Sequence, residues 1–337
     1  MKRLAWLWAL FWLGGLLAGP ARAAEPEPSP PVPPPPFPPP YYHTVRSASS
    51  ADGLTFTDDR QEDLAEHASV PSAVQFDDGT IRVYFVDFSS GREEALGCLE
   101  SRDGGRTFAR VQARLTGLYR PKAVDFCPVL LPDGRCRLYF YAMDRRPRKA
   151  HDIDSAISSD GLVFERERTV FVDEGLVDPD VFWDGREWVM YVFSLHTGRT
   201  EIARSADGLS FSYAGLLPMR GYGTTRPLRL PDGTFRLYAF RQPEADHFVS
   251  FRSRDGTVWV REEGERFRTQ EGYVITDPFV IQRQDGSYQM FYKRQKGRPR
   301  PPGPPREHPG PEGPPPEDMG PPPDGGGPPP EGPGWSP

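Results

Sequence analysis

The chain has 337 residues, with 41 prolines, 34 glycines and a formal net charge of -6. A small, dispersed negative charge excludes the basic footprint of a nucleic-acid binder and the polybasic face of a peripheral membrane protein. Cys98, Cys127 and Cys136 leave at least one thiol unpaired, and Cys127 and Cys136 sit at unequal offsets from the Asp133-Gly134 turn, so no disulfide is assigned.

In chain order, residues 1–23 carry Lys2 and Arg3, an apolar run from Leu4 to Ala18 and an Ala21-Arg22-Ala23 end. This is the pattern of a signal peptide, so a secreted or periplasmic protein is expected, with no membrane insertion after cleavage. Residues 24–43 are proline-rich and are expected to form an extended linker, because proline fixes φ and removes a backbone donor. Residues 297–337 repeat Pro, Gly and Glu without apolar periodicity and read as a disordered tail. Residues 44–296 remain as the globular region, long enough for one large core and expected to be a monomer.

Within that region a single unit recurs five times: proline, a short apolar strand, an Asp-Gly turn and an aromatic strand. The copies open at Pro71, Pro128, Pro179, Pro227 and Pro278, which are 57, 51, 48 and 51 residues apart. Their turns are Asp78-Gly79, Asp133-Gly134, Asp184-Gly185, Asp232-Gly233 and Asp285-Gly286, and Asp-Gly supplies the positive φ that a tight hairpin requires. A second unit, Ser-x-Asp-Gly followed by an aromatic, also recurs five times, opening at Ser50, Ser101, Ser158, Ser205 and Ser253. Its Ser and Asp are placed to bond local N–H groups while the aromatic packs between units.

A period near 50 residues means a propeller or a solenoid. The first unit to appear is an unpartnered Ser-x-Asp-Gly half and the last is an unpartnered Asp-Gly half. The fold expected is therefore all-β, a five-bladed propeller of four-stranded blades closed by an N-terminal strand that completes the last blade.

The hairpins from Val177 to Phe193 and from Thr276 to Lys293 resemble those of the five-bladed glycoside hydrolases of family 43 and their family 32 relatives. The run from Ser101 to Phe108 resembles the Asp box of sialidases. The family-43 resemblance implies a carbohydrate partner and an acidic axial funnel. It puts a base Asp on the first blade, a pKa-tuning Asp in an Ile/Val-Asp-Pro motif on the third and an acid Glu on the fourth. Val177-Asp178-Pro179 matches the third, whereas Val70 stands at the first position and Arg226 near the fourth.

Taking the residue before each proline as the axial position gives Val70, Cys127, Asp178, Arg226 and Asp277, with Asp125 two residues before Cys127 on the same face. Asp178 and Asp277 are then an acid/base pair or a sugar-hydroxyl clamp, with Arg226 holding an anionic or transition-state oxygen. The alternative is a buried ion network that fixes blade packing. A sialidase-type site would instead join Arg226 to Arg120 and Arg241. Asp125 and Tyr222 are expected to bind substrate, with Trp183 and Trp188 as further stacking candidates, and His196, Glu201, Asp246, His247, Asp144, Arg145, Asp152 and Asp154 as loop candidates. No metal or cofactor is expected, since no His/Cys metal spacing or phosphate-cradling glycine loop is present. Three readings remain open: a glycosidase, a non-catalytic propeller binding a glycan or protein, and an envelope scaffold.

Overall fold

The computed structural model describes residues 39–59, 62–91, 93–120, 122–143, 150–241 and 245–297. The signal peptide, all but the end of the linker and nearly all of the tail lie outside these residues, as do Asp144 and Arg145. The described residues form five sheets arranged as a five-bladed propeller, antiparallel except where Arg114–Thr116 pairs parallel with Val163–Glu174. Only one short helical turn is present among them, the 3-10 helix Pro39–Tyr42.

Each blade starts with an inner strand: Ala68–Gln75 in blade 1, Lys122–Leu130 in blade 2, Leu176–Trp183 in blade 3 and Tyr273–Gln282 in blade 5. In blade 4 the inner strand is split into Tyr222–Thr224 and Leu228–Arg229. The second strands, Ile81–Asp87, Cys136–Met143, Trp188–Ser194, Phe235–Arg241 and Tyr288–Lys296, are the most deeply covered. Blade 5 takes its outer strands from the start of the chain, with Thr44–Ser50 pairing antiparallel to Tyr288–Lys296 and Ala48 opposite Met290.

Five apolar clusters hold the blades together, one at each joint. Tyr84 and Phe164 share the cluster between blades 1 and 2, Tyr139 and Phe211 that between 2 and 3, and Tyr191 and Phe235 that between 3 and 4. Phe56 and Tyr238 lie between blades 4 and 5, and Ile81 and Phe291 between 5 and 1. A buried aromatic of this size contributes roughly 1.5–3 kcal/mol by leaving water, so each joint is apolar first and polar second.

The polar component of each joint is specific. The second-strand tyrosine of one blade donates its hydroxyl to the glycine carbonyl of the Ser-x-Asp-Gly turn in the next: Tyr84 to Gly161 at 2.7 Å, Tyr139 to Gly208 at 2.8 Å, Tyr191 to Gly256, and Tyr238 to Gly53 at 2.8 Å. At the fifth joint the tyrosine is replaced by Phe291, which meets Phe108 edge-on, and Gln289 supplies the donor to Gly105 at 3.1 Å. The turns that receive these bonds are fixed internally, as in Ser50-Ala51-Asp52-Gly53, where Ser50 Oγ accepts from Gly53 N–H at 2.9 Å and Asp52 Oδ1 from Leu54 and Thr55.

The Asp-Gly hairpins differ from the simple two-residue expectation. Only the glycine has positive φ, +86° at Gly79 and +82° at Gly134. Gly79 N–H bonds Phe76 carbonyl at 2.9 Å while Phe76 N–H bonds Thr80 carbonyl at 2.8 Å, a three-residue loop with glycine in the bulge position that recurs in blades 2, 4 and 5, whereas in blade 3 Asp184 N–H bonds Glu187 carbonyl at 3.1 Å across Gly185-Arg186. The aspartate serves by accepting the N–H two residues on, as Asp78 does from Thr80 at 2.9 Å.

Candidate active site

The inner strands are interrupted at one common level. In blades 1, 2, 3 and 5 the ladder passes two residues on the inner strand for one on its partner, between Ser69 and Ser72, Val124 and Cys127, Val177 and Asp180, and Thr276 and Phe279. This is a β-bulge, the local device that re-aims side chains beside a site. The first bulged residue is left-handed in every case: Val70 at φ +49°, Asp125 at +58°, Asp178 at +52° and Asp277 at +55°. Such a backbone costs a non-glycine residue on the order of 1–3 kcal/mol. Because even Val70 adopts it, the strain belongs to the fold, and the three aspartates are a separate choice made on top of it.

This register corrects the choice of the pre-proline residue as the axial position. Pro71, Pro179 and Pro278 are the second bulged residue, but Pro128 and Pro227 fall two positions further along their strands. Asp125 is therefore the blade-2 counterpart of Asp178 and Asp277, and Thr224 takes that level in blade 4. Cys127 and Arg226 belong one step deeper, beside Ser72, Asp180 and Phe279.

Asp125, Asp178 and Asp277 line one axial cavity of about 220 Å³, together with Asp180, Thr224, Thr225, Thr276 and Lys293. Asp178 N–H donates to Asp125 Oδ2 at 3.4 Å. Lys293 Nζ lies 2.7 Å from Asp277 Oδ2, which also accepts from Thr276 Oγ1 at 2.9 Å. Burial pushes the Asp125 carboxyl up to about 6, helped by the Asp277 charge and opposed by Asp178 N–H and Lys293. Burial, then the charges of Asp125 and Asp277, raises Asp178 well above the usual carboxylate range. Burial also takes Asp180 to about 8 against the pull of Arg226. Burial works to depress Lys293, but the neighbouring carboxylates, Asp277 first, outweigh it and its pKa rises. At the rim, His43 Nδ1 is 3.0 Å from Ser69 Oγ, and burial with the Lys293 charge lowers the imidazole to about 4. The cavity thus sets carboxyls of separated pKa side by side, Asp125 at about 6 and Asp180 at about 8, the arrangement that divides acid from base.

Arg226 does not pair with Asp178 and Asp277. It reaches across the ring to donate to Pro128 carbonyl at 2.8 Å and lies over the Phe279 ring, 4.6 Å from its centroid. Tyr222 points away, edge-on to Phe251 in the joint between blades 3 and 4, and is not a wall residue of the cavity. Trp183 and Trp188 face each other at the Asp184-Gly185 turn. Arg120 is bound to Asp152, Asp154 to Arg166, and Asp246 to His247 and Arg268, while Arg241 is exposed opposite Tyr222. His196 and Glu201 line a separate cavity.

Sequence reasoning missed Asp180, Lys293 and Thr276. Lys293 had a readable signal: two residues past the second-strand aromatic the other blades carry Val86, Tyr141, Phe193 and Phe240, an apolar column that Lys293 alone breaks.

No protein-family model matches the chain, and no curated protein matches it. Among solved structures it is similar to a thermostable family-43 glycoside hydrolase, with 14% identity over 72% of this chain and 96% of that one and a TM-score of 0.53. It is similar to a family-43 β-xylosidase/α-arabinofuranosidase from a compost microbial metagenome, with 17% identity, 68% and 87% coverage and a TM-score of 0.52. A protein of unknown function from Dyadobacter fermentans DSM 18053 aligns with 19% identity, 75% and 84% coverage and a TM-score of 0.51. At these identities the shared property is the fold: the chain has the five-bladed propeller architecture seen in family-43 glycoside hydrolases.

Proposed function

We propose that the protein is a secreted or periplasmic carbohydrate-active propeller that takes a glycosyl unit into the axial cavity, with Asp178 and Asp277 as the reacting carboxyls. The observation that carries this reading is the convergence of Asp125, Asp178 and Asp277 from three blades, at equivalent bulges, on one cavity containing Lys293. Glycoside hydrolysis needs one carboxylic acid to protonate the leaving oxygen and one carboxylate to activate water or attack the anomeric carbon. Asp178, whose carboxyl burial and the neighbouring carboxylates raise well above the usual range, fits the first role. Asp277, held by Lys293 and Thr276, fits the second. The volume is below the roughly 300–1,000 Å³ of drug-sized pockets, which favours one sugar ring over a length of polymer.

The test is a screen of the full chain against aryl glycosides and polysaccharides, with Asp178→Asn as the matched control. Loss of the proton donor is expected to lower kcat by roughly 10²–10⁴. A second reading, glycan binding without turnover, is favoured by Val70 and Thr224, which hold the ring positions of blades 1 and 4. Glycan binding with no turnover in the unmodified protein would establish it, and binding of no glycan at all would end both.

A further inference from the structure

Blade 3 carries a second cavity, of about 470 Å³, lined by Asp173, Glu174, His196, Thr197, Glu201 and Tyr213. Thr200 lines the axial cavity and Glu201 this one, so the two cavities lie on opposite faces of the strand Arg199–Ser205. Glu201 is only 6% exposed. Its counterparts in the third strands of blades 2 and 5, Asp154 and Arg46, are also buried, and each has its countercharge: Arg166 at 2.7 Å from Asp154, and Asp58 and Asp63 at 2.9 and 3.1 Å from Arg46. Glu201 has no ion pair among the described residues. It accepts one long hydrogen bond, from Thr197 Oγ1 at 3.4 Å to Oε1. A carboxylate buried without a countercharge is costly, and this one is open only towards the cavity.

Among the described residues no group of three His, Cys, Asp or Glu side chains has the spacing to hold a metal ion. Tyr213, 54% exposed, instead presents an aromatic ring beside the carboxylates, the pairing that recognises an ammonium group. His196 Nδ1 lies 3.5 Å from Glu174 Oε2 on the same wall.

We propose that the blade-3 cavity binds the ammonium group of a glycan bearing free amino sugars. The choice of a glycan rests on the carbohydrate reading above, whereas the ammonium preference rests on Glu201 and Tyr213.

The test is calorimetric titration of the full chain with a fully deacetylated chito-oligosaccharide and with its N-acetylated counterpart, at mildly acid pH. The deacetylated form is expected to bind at least about tenfold tighter, as one charge-assisted contact requires. That advantage should disappear in Glu201→Gln, shrink in Tyr213→Leu and persist in Asp178→Asn. Undiminished binding of the acetylated form by Glu201→Gln would show that the variant is folded. Equal affinity for the two forms, or an advantage untouched in Glu201→Gln, overturns the proposal while leaving the axial reading intact. Binding of spermidine but of neither oligosaccharide overturns the glycan assignment of this cavity.

Discussion

At the scale of single residues, the axial carboxyls make stability depend on pH in a direction opposite to that of surface aspartates. Asp125 and Asp180, taken by burial to about 6 and about 8, bind protons in the folded chain that an unfolded aspartate, with a pKa near 3.9, has already released. The folded state therefore loses stability as pH rises from about 4 towards 8, by at most about 1.4 kcal/mol per pH unit per group. His43, depressed to about 4, works the other way between about 4 and 6.5, where unfolding lets it take up a proton. Above pH 6.5 only the carboxyls act, so chemical denaturation should show stability declining between pH 6.5 and 8, and Asp180→Asn should flatten that slope. Lys293→Met is a separate test. Removing one member of a buried pair typically costs about 3–5 kcal/mol, and adding Asp277→Asn should restore some of that loss in a double-mutant cycle read by urea unfolding.

At the scale of the element, the joints between blades repeat a chemistry that the second strands spell out. Tyr139→Phe leaves the Gly208 carbonyl without its donor and should cost about 1–3 kcal/mol in urea unfolding. Blade 5 carries the natural equivalent in Phe291, so Gln289→Leu is the change expected to produce the same loss there. The strands, the Asp-Gly loops and the packing of aromatics between blades were legible in the sequence because each depends on neighbours a few residues apart. The depth of each residue along the axis was not. It depends on where the ladder skips, and proline marks the bulge in blades 1, 3 and 5 but falls two positions beyond it in blades 2 and 4. For that reason Asp178 and Asp277 were found together, Asp125 was placed beside the ring of axial residues instead of in it, and Arg226 was expected one level too high.

At the scale of the whole molecule, five joints of similar make form one ring, and blade 5 depends on strands from both ends of the chain. A chain beginning after Ser50 should leave Tyr288–Lys296 with an open edge, the kind that recruits other strands. Light scattering during refolding is expected to show association of the shortened chain and none of the full one. The pairing of Thr44 with Arg294 has a further result. The first and last strands of the ring meet at adjacent positions of one sheet, at the level of Lys293. Joining them by a short linker and reopening the chain at the exposed Asp133-Gly134 loop should give a circular permutant with the same ring.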